Sequence, residues 1–166
     1  VFSMMAEQAW QSARLASDWC GYRIPPEMMW VTMIAEGSCH NLNRDHVRDP
    51  LHRSTGFLAM RPICYTKFSR RAGLPFLRMD ETNLDEWSLE VCAHNRGHPI
   101  QQVKVYFTAA AFFLRMYGGD VAKVFSVWRW GYPTEPTYSA GCARIWQERL
   151  GTYPVRGMLA QQHQTR

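Results

Sequence analysis

The sequence predicts a single domain that is mainly α-helical. Apolar residues recur at three- and four-residue steps in several segments, and Gly and Pro fall between those segments. No stretch shows the convincing alternation of a β-strand. The length of 166 residues, with 46% apolar and 20% charged residues, suits one globular unit with a real core. We therefore expect one domain over residues 1–166.

Two helices are expected near the start of the chain. The first runs from Ser3 to about Trp19 and ends before Gly21, since this segment mixes polar and apolar residues without Gly or Pro. The second runs from Pro26 to about Glu36, because proline favours the first helical turn. Its residues are apolar nearly all round, which predicts a central, buried helix that ends in a single carboxylate.

The middle of the chain is predicted to be less regular. Residues 37–55 are polar, and we expect a long surface segment there, of the kind that often carries function. Short helices are expected after Pro62, to about Ala72, and from Asp85 to Cys92.

The last third carries the clearest periodicity. A helix closed by Gly118 and Gly119 is expected, followed by another that Asp120 caps. A final helix is expected before a loosely ordered tail, residues 151–166. The periodic residues of the three helices are Val103, Tyr106, Phe107, Ala110, Leu114 and Tyr117, then Val121, Val124, Phe125 and Trp128, then Ala143, Trp146 and Leu150.

The charge balance favours an anionic partner. Nineteen Lys and Arg against fourteen Asp and Glu give a net charge of +5, which suits nucleic acid, a membrane surface or an acidic polymer such as the cell wall. Only Arg70 and Arg71 are adjacent basic residues, so no nucleic-acid partner is expected. No run approaches the roughly 18 apolar residues of a transmembrane helix, so no transmembrane segment is expected.

The cysteines and histidines do not predict a metal site. The five cysteines are widely spaced without a CxxC pair, which fits either disulfides of an exported protein or buried thiols. Two local groups of Cys and His lack a recognised zinc spacing, so no metal and no other cofactor is expected. These groups are Cys39, His40, His46 and His52, and Cys92, His94 and His98.

Glu36 is the candidate catalytic residue. Burial and the negative end of a helix both raise the pKa of a carboxyl group, and a protonated acid near neutral pH can cleave a glycosidic bond. The plainer alternative is a glutamate in the last turn that bends to water. Asp45 and Asp49 could supply a second acid for a hydrolase, although solvated loop residues explain them as well.

The order of short motifs resembles the lytic transglycosylases of the soluble type, which have a goose-lysozyme-like fold. That family carries I-P-P-E, a helix into E-S, G-L-M-Q-x-x-P, a helix into G-G-D, A-Y-N-x-G and a downstream Tyr. The resemblance covers about residues 16–150. The corresponding segments here are Ile24-Pro25-Pro26-Glu27, Glu36, Gly56-Phe57-Leu58-Ala59-Met60-Arg61-Pro62, Gly118-Gly119-Asp120, Val127-Trp128-Arg129-Trp130-Gly131 and Tyr138.

Several letters depart from the family pattern. Gly37 displaces the serine by one position, and Ala59 stands where the family has Gln. Trp128 replaces the Tyr of the third motif, and Arg129 replaces its Asn. The scaffold signals remain, while polar positions that contact substrate in the family have changed.

The resemblance implies a fold, a reaction and a set of site residues. Family members cleave the β-1,4 bond between N-acetylmuramic acid and N-acetylglucosamine without hydrolysis, and one Glu serves as acid and then base. This implies a single lysozyme-like helical domain with Glu36 as catalytic residue. The implied substrate-binding residues are Ser38, Gly56, Phe57, Leu58, Met60, Trp128, Arg129, Trp130 and Tyr138.

Two functions are compatible with these signals. The first is a peptidoglycan lytic transglycosylase in the periplasm, the cell envelope or a phage virion, acting on glycan strands beside protein components of a secretion, conjugation or phage machine. The second is a catalytically degenerate member that serves as a structural or peptidoglycan-binding component. Ala59 and Arg129 favour the second, whereas Glu36 favours the first because a desolvated carboxylate is costly to keep.

Overall fold

The computed structural model describes residues 2–36, 57–58, 99–130, 133–134 and 136–151, and every regular element there is a helix. This confirms the mainly α class, while the lysozyme-like fold remains a prediction. The segment 37–55, the short helices expected after Pro62 and from Asp85, and the tail lie outside these ranges. The helices are α1 (Phe2–Cys20), α2 (Glu27–Ala35), α3 (Pro99–Met116), α4 (Val121–Trp130) and α5 (Pro136–Leu150).

The helices pack around α3. Helix α1 lies against α3 through a stripe of mostly small residues at three- and four-residue steps, and small side chains allow two helix backbones to approach closely. Helix α3 is buried along most of its length, more completely than its sequence pattern indicates. Helix α2 packs on α5 and α3, and α4 packs on α5 and α3. The α1 stripe is Met5, Ala9, Ser12, Ala13, Ala16, Ser17 and Cys20.

The connection from α1 to α2 fixes where α2 begins. Gly21 has φ 81°, and its N–H donates to the carbonyl of Ser17 over 2.9 Å. The Ser17 hydroxyl donates to the carbonyl of Ala13 over 2.6 Å and accepts the N–H of Ile24 over 2.9 Å. These bonds hold the residue before Pro25-Pro26 against α1, so α2 starts close to the end of α1.

The turn between α3 and α4 requires glycine. Gly119 has φ 86°, and its N–H donates to the carbonyl of Leu114 over 2.8 Å, which closes α3. A Cβ atom on Gly119 would lie 2.5 Å from Cε1 of Tyr22, so any other residue there would be strained and would displace the Tyr22 ring. Asp120 Oδ1 accepts the N–H of Lys123 over 3.2 Å, which confirms the predicted cap. This turn directs the last turn of α4 toward the end of α2.

The observed helix bounds agree with the sequence pattern within a few residues. Helix α2 spans Glu27–Ala35, with Pro26 and Glu36 as its flanking residues, against a prediction of Pro26 to about Glu36. Five of its side chains are buried, as expected for a central helix. None of the helices in the described part of the chain is long and apolar enough to cross a membrane.

Candidate active site

Glu36 lies immediately after the last residue of α2. Its backbone is still helical (φ −73°, ψ −4°), and its N–H donates to the carbonyl of Thr32 over 2.9 Å. The residue as a whole is half-buried, yet its side chain is only 6% exposed, so the water-facing atoms belong to the backbone. The apolar helix therefore delivers its carboxylate into the protein rather than out to water.

Tyr138, on α5, holds one oxygen of this carboxylate. Its hydroxyl donates to Glu36 Oε1 over 2.7 Å, a length typical of a hydrogen bond to a charged acceptor. Burial raises the pKa of Tyr138 well above its usual value, and the negative charge of Glu36 raises it further. Tyr138 therefore stays a neutral hydroxyl donor throughout the physiological range of pH.

Arg129, in the last turn of α4, faces the other oxygen. Its guanidinium nitrogen lies 3.6 Å from Glu36 Oε2, and the arginine side chain is 40% exposed. This is an ion pair longer than a direct hydrogen bond and open to solvent on the arginine side. Burial favours the protonated form of a carboxyl group, whereas a guanidinium and a hydroxyl donor favour the ionised form. The two influences oppose each other at Glu36.

A second polar pair lies one helical turn before Glu36. The hydroxyls of Thr32 and Tyr106 are 2.7 Å apart, and the Tyr106 hydroxyl also donates to the carbonyl of Met28 over 3.2 Å. Both residues are fully buried or nearly so. Burial raises the pKa of Tyr106, and the hydrogen bond with Thr32 opposes that rise in part. Tyr106 is thus a neutral hydroxyl that ties α3 to α2 beneath the carboxylate.

Cys142 completes this layer from α5, one turn after Tyr138. Its side chain is fully buried, and burial raises the pKa of the thiol from 9.0 to about 12. A hydrogen bond with Tyr138 lowers that pKa and the charge of Glu36 raises it. Cys142 is therefore a neutral thiol that fills the space behind Tyr138, not a nucleophile.

The backbone of Leu58 is fastened beside this site by two helices. Its N–H donates to Gln102 Oε1 of α3 over 2.9 Å, and its carbonyl accepts the Trp128 indole N–H of α4 over 3.2 Å. The Trp128 ring meets Tyr106 edge to face, with centroids 4.9 Å apart. Trp128 therefore joins Leu58 to the hydroxyl pair under Glu36.

The structure brings some of the predicted site residues together. Tyr138 and Arg129 both lie against the Glu36 carboxylate, and Trp128 meets Tyr106, whose hydroxyl pairs with Thr32 one turn before Glu36. Phe57 and Leu58 are buried at 6% and 0% exposure, so here their side chains pack rather than face solvent. A role of these residues in substrate binding stays a prediction. Residues outside the described ranges are Ser38, Gly56, Ala59, Met60, Asp45 and Asp49, and nothing is described of the Trp130 side chain.

Three residues of the site were not predicted from the sequence as functional. Thr32 is a polar residue one helical turn before Glu36 in an otherwise apolar helix. This spacing indicates that the two side chains lie on the same face of α2. Tyr106 lies at a position of the apolar repeat of α3, so the sequence pattern does not indicate a polar role for its hydroxyl. Cys142 is one turn from Tyr138, but the spacing has meaning only once Tyr138 is known to contact Glu36.

The part of the chain that the structure describes contains no cluster of three or more His, Cys, Asp or Glu residues suited to a metal. The Cys–His groups considered from the sequence lie outside that part. Cys20 and Cys142 are buried free thiols. At Glu36 the structure places one desolvated carboxyl group, with a hydroxyl donor on one oxygen and a partly exposed guanidinium 3.6 Å from the other.

The fold and site geometry were also compared with known proteins. Searches against protein-family models, curated proteins and solved structures found no match to this chain. The site is accordingly interpreted from its own contacts and from the motif order of the sequence.

Proposed function

We propose that this protein is a peptidoglycan lytic transglycosylase in which Glu36 is the single general acid and base. The observation that carries the proposal is the carboxylate of Glu36, 6% exposed at the end of an apolar helix and hydrogen-bonded to Tyr138 over 2.7 Å. A positioned carboxyl group in a dry site is what general acid catalysis at a glycosidic oxygen requires. The motif order of the sequence supplies the substrate class.

The reaction divides the work between the two carboxylate oxygens. Tyr138 donates to Oε1 and orients the carboxyl group, and in this proposal Oε2 is the oxygen that exchanges a proton with substrate. Protonated Glu36 gives its proton to the glycosidic oxygen, while the acetamido group of the substrate supports the positive charge that develops at the sugar. Ionised Glu36 then takes the proton of the C6 hydroxyl, and a 1,6-anhydro sugar leaves.

Arg129 decides when Glu36 can act as an acid. The guanidinium lies 3.6 Å from Oε2, and an adjacent cation stabilises the ionised carboxylate. Because the arginine side chain is 40% exposed, it can turn into solvent or toward an anionic group of the glycan without unfolding its helix. The active form therefore has Arg129 withdrawn from Glu36.

The same ion pair favours a second function. If Arg129 never leaves Glu36, the carboxyl group stays ionised and the protein is a catalytically degenerate, peptidoglycan-binding component of a secretion, conjugation or phage assembly. Either function places the protein at the cell envelope or on a virion, where its net charge of +5 suits an anionic wall.

A digest of purified peptidoglycan with mass spectrometry of the products separates these functions. Anhydro-muropeptides from the native protein that disappear in Glu36→Gln support the transglycosylase. Arg129→Asn, which restores the amide found in the family, should keep or raise that release and is the matched variant. Products with free reducing ends would instead indicate a hydrolase and bring Asp45 or Asp49 into the mechanism.

A folded native protein that releases nothing contradicts the enzymatic proposal. Retention on insoluble peptidoglycan would then support the binding function, and the test is sedimentation with the polymer. Circular dichroism of both variants confirms that loss of product does not reflect loss of the fold.

A further inference from the structure

A second site lies at the other end of α2, away from Glu36. A surface pocket of about 370 Å³ opens between the middle of α1 and the connection that leads into α2. Helix α2 separates it from Glu36 by nine residues, or roughly 13 Å. The residues that matter for binding are Trp10 and Arg14 on α1, Arg23, Pro25 and Pro26 on the connection, and Glu27, the first residue of α2.

The charged side chains of this pocket form no ion pair with one another or with any other described residue. Arg14 and Arg23 are both exposed, and neither forms an ion pair with a carboxylate of the described residues. The contact that Arg14 makes is with an aromatic ring, its guanidinium carbon lying 6.0 Å from the centroid of Trp10. Trp10 itself is 59% exposed. Two guanidinium groups and one indole ring therefore line the same concave surface and are accessible to a ligand.

Apolar residues lie beneath the charged side chains of the pocket, and the Ser17 hydroxyl that lines it is already hydrogen-bonded. Ile24 and Ala13 are buried, and Pro25 and Pro26 are half-buried. The Ser17 hydroxyl already donates to the carbonyl of Ala13 and accepts the N–H of Ile24. Few hydrogen-bonding groups other than the charges remain for a ligand, so the pocket suits an apolar side chain better than a ring of hydroxyls.

We propose that this pocket binds a peptide carboxylate that lies next to an apolar side chain. Arg14 and Arg23 bind the carboxylate, since guanidinium matches its planar geometry, and the apolar side chain packs on Trp10 and the two prolines. Two guanidiniums against the single carboxylate of Glu27 leave one net positive charge, which suits a monoanion. A phosphate dianion or a nucleic acid would meet repulsion from Glu27 and no further cation. The site does not depend on the activity of Glu36.

A titration of the full-length protein tests the proposal. The probe is an acetylated dipeptide with a C-terminal Phe and a free carboxylate, and the signal is the Trp10 indole N–H in ¹⁵N spectra, assigned with Trp10→Phe. We expect a saturable shift of that resonance. Arg14→Gln and Arg23→Gln should each weaken binding about tenfold, because each removes a charge-assisted hydrogen bond. Arg144→Gln, an exposed change on α5, is the matched control and should bind like the native protein.

Further probes identify the source of the carboxylate. A dipeptide with an internal Glu and an amidated end, compared with the free-ended one, distinguishes a side-chain carboxylate from a chain terminus, and saturable binding of either supports the site. Equal binding of the uncharged Phe amide overturns the proposal, as do native-like affinities of both arginine variants. Tighter binding of glucuronic acid or inorganic phosphate than of both peptides also overturns it, in favour of a sugar-acid or general anion site.

Discussion

The two ends of α2 treat charge in opposite ways. At the C-terminal end, the Glu36 side chain is 6% exposed and its two oxygens face Tyr138 and Arg129. At the N-terminal end, Arg14, Arg23 and Glu27 are exposed, and none of them is ion-paired with another described residue. At the C-terminal end, one carboxylate is removed from water and contacted by hydrogen-bond donors. At the N-terminal end, three charged side chains are exposed to water.

Desolvation explains the difference. A carboxylate removed from water destabilises the fold unless hydrogen bonds and a counter-charge replace its hydration. Exposed side chains keep their hydration, so the fold gains little from pairing them and loses little when they are unpaired. Tyr138, which donates to Glu36, therefore packs against the folded core, whereas the partners of the exposed arginines can come from outside. The desolvated end carries the proposed general acid, and the solvated end carries the proposed binding pocket.

The largest expected effect is at the buried end. Tyr138→Phe should lower the free energy of unfolding by about 1.5–3 kcal/mol, because it removes a hydrogen bond to a charged and desolvated acceptor. Tyr106→Phe is the matched control, since it removes a buried hydroxyl whose partners among the described residues, Thr32 and the carbonyl of Met28, are neutral, and it should cost about 1 kcal/mol. Denaturant unfolding near neutral pH measures both.

A cost for Tyr138→Phe no greater than that for Tyr106→Phe would mean that Glu36 is not held as a buried carboxylate. A double-mutant cycle with Glu36→Gln then isolates the pair, and a coupling energy near zero contradicts the site as described.

The sequence predicted the position of Glu36 better than its surroundings. The mostly apolar run from Met28 to Ile34 predicts a buried helix, and Glu36 comes directly after that run. The local sequence pattern alone therefore predicts a carboxylate at the C-terminal end of a buried helix. The helix-stop glycines and the Asp120 cap were predictable for the same reason, because they depend on neighbours within a few residues.

The partners of Glu36 come from distant segments, and local pattern does not predict such contacts. Tyr138 is 102 residues away, and Tyr106 is 74 residues from Thr32. The resemblance of the motif order indicates Tyr138 as a site residue, whereas the periodic pattern indicates Tyr106 as a residue on the apolar face of its helix. The pocket beside Trp10 was missed because Arg14 and Arg23 lie on different elements, which only the fold around Ser17 and Ile24 brings together.

A smaller effect is expected from the thiol behind Tyr138, and it depends on pH. Burial raises the pKa of Cys142 from 9.0 to about 12, so above pH 9 the unfolded chain releases a proton that the folded protein keeps. The stability that this thiol contributes is complete below about pH 9 and falls as pH rises, by up to about 1.4 kcal/mol per pH unit. Cys142→Ala should therefore lose stability less steeply than the native protein between about pH 9 and pH 10.

Cys20→Ala is a parallel case for this measurement, because burial also raises the pKa of Cys20, so this variant should likewise lose stability less steeply than the native protein. Unfolding curves recorded at several pH values compare slopes rather than absolute stabilities, so the small cavity left by alanine does not matter. Parallel slopes for the native protein and Cys142→Ala would show that this thiol is not buried as described.

The smallest expected effects come from the arginines, one at each end of α2. Arg129→Gln should cost less than about 1 kcal/mol, because its ion pair with Glu36 is partly solvated, and Arg23→Gln should change stability by no more than about 0.5 kcal/mol. The cost of Arg129→Gln should shrink further at about 1 M salt, where exposed pairs are screened. Denaturant unfolding of both variants at low and high salt measures this.

A cost for Arg129→Gln above about 2 kcal/mol, unchanged by salt, would mean that the guanidinium is a fixed partner of a buried charge. Protonation of Glu36 would then require breaking a strong ion pair, and the peptidoglycan-binding function would explain the site better than catalysis.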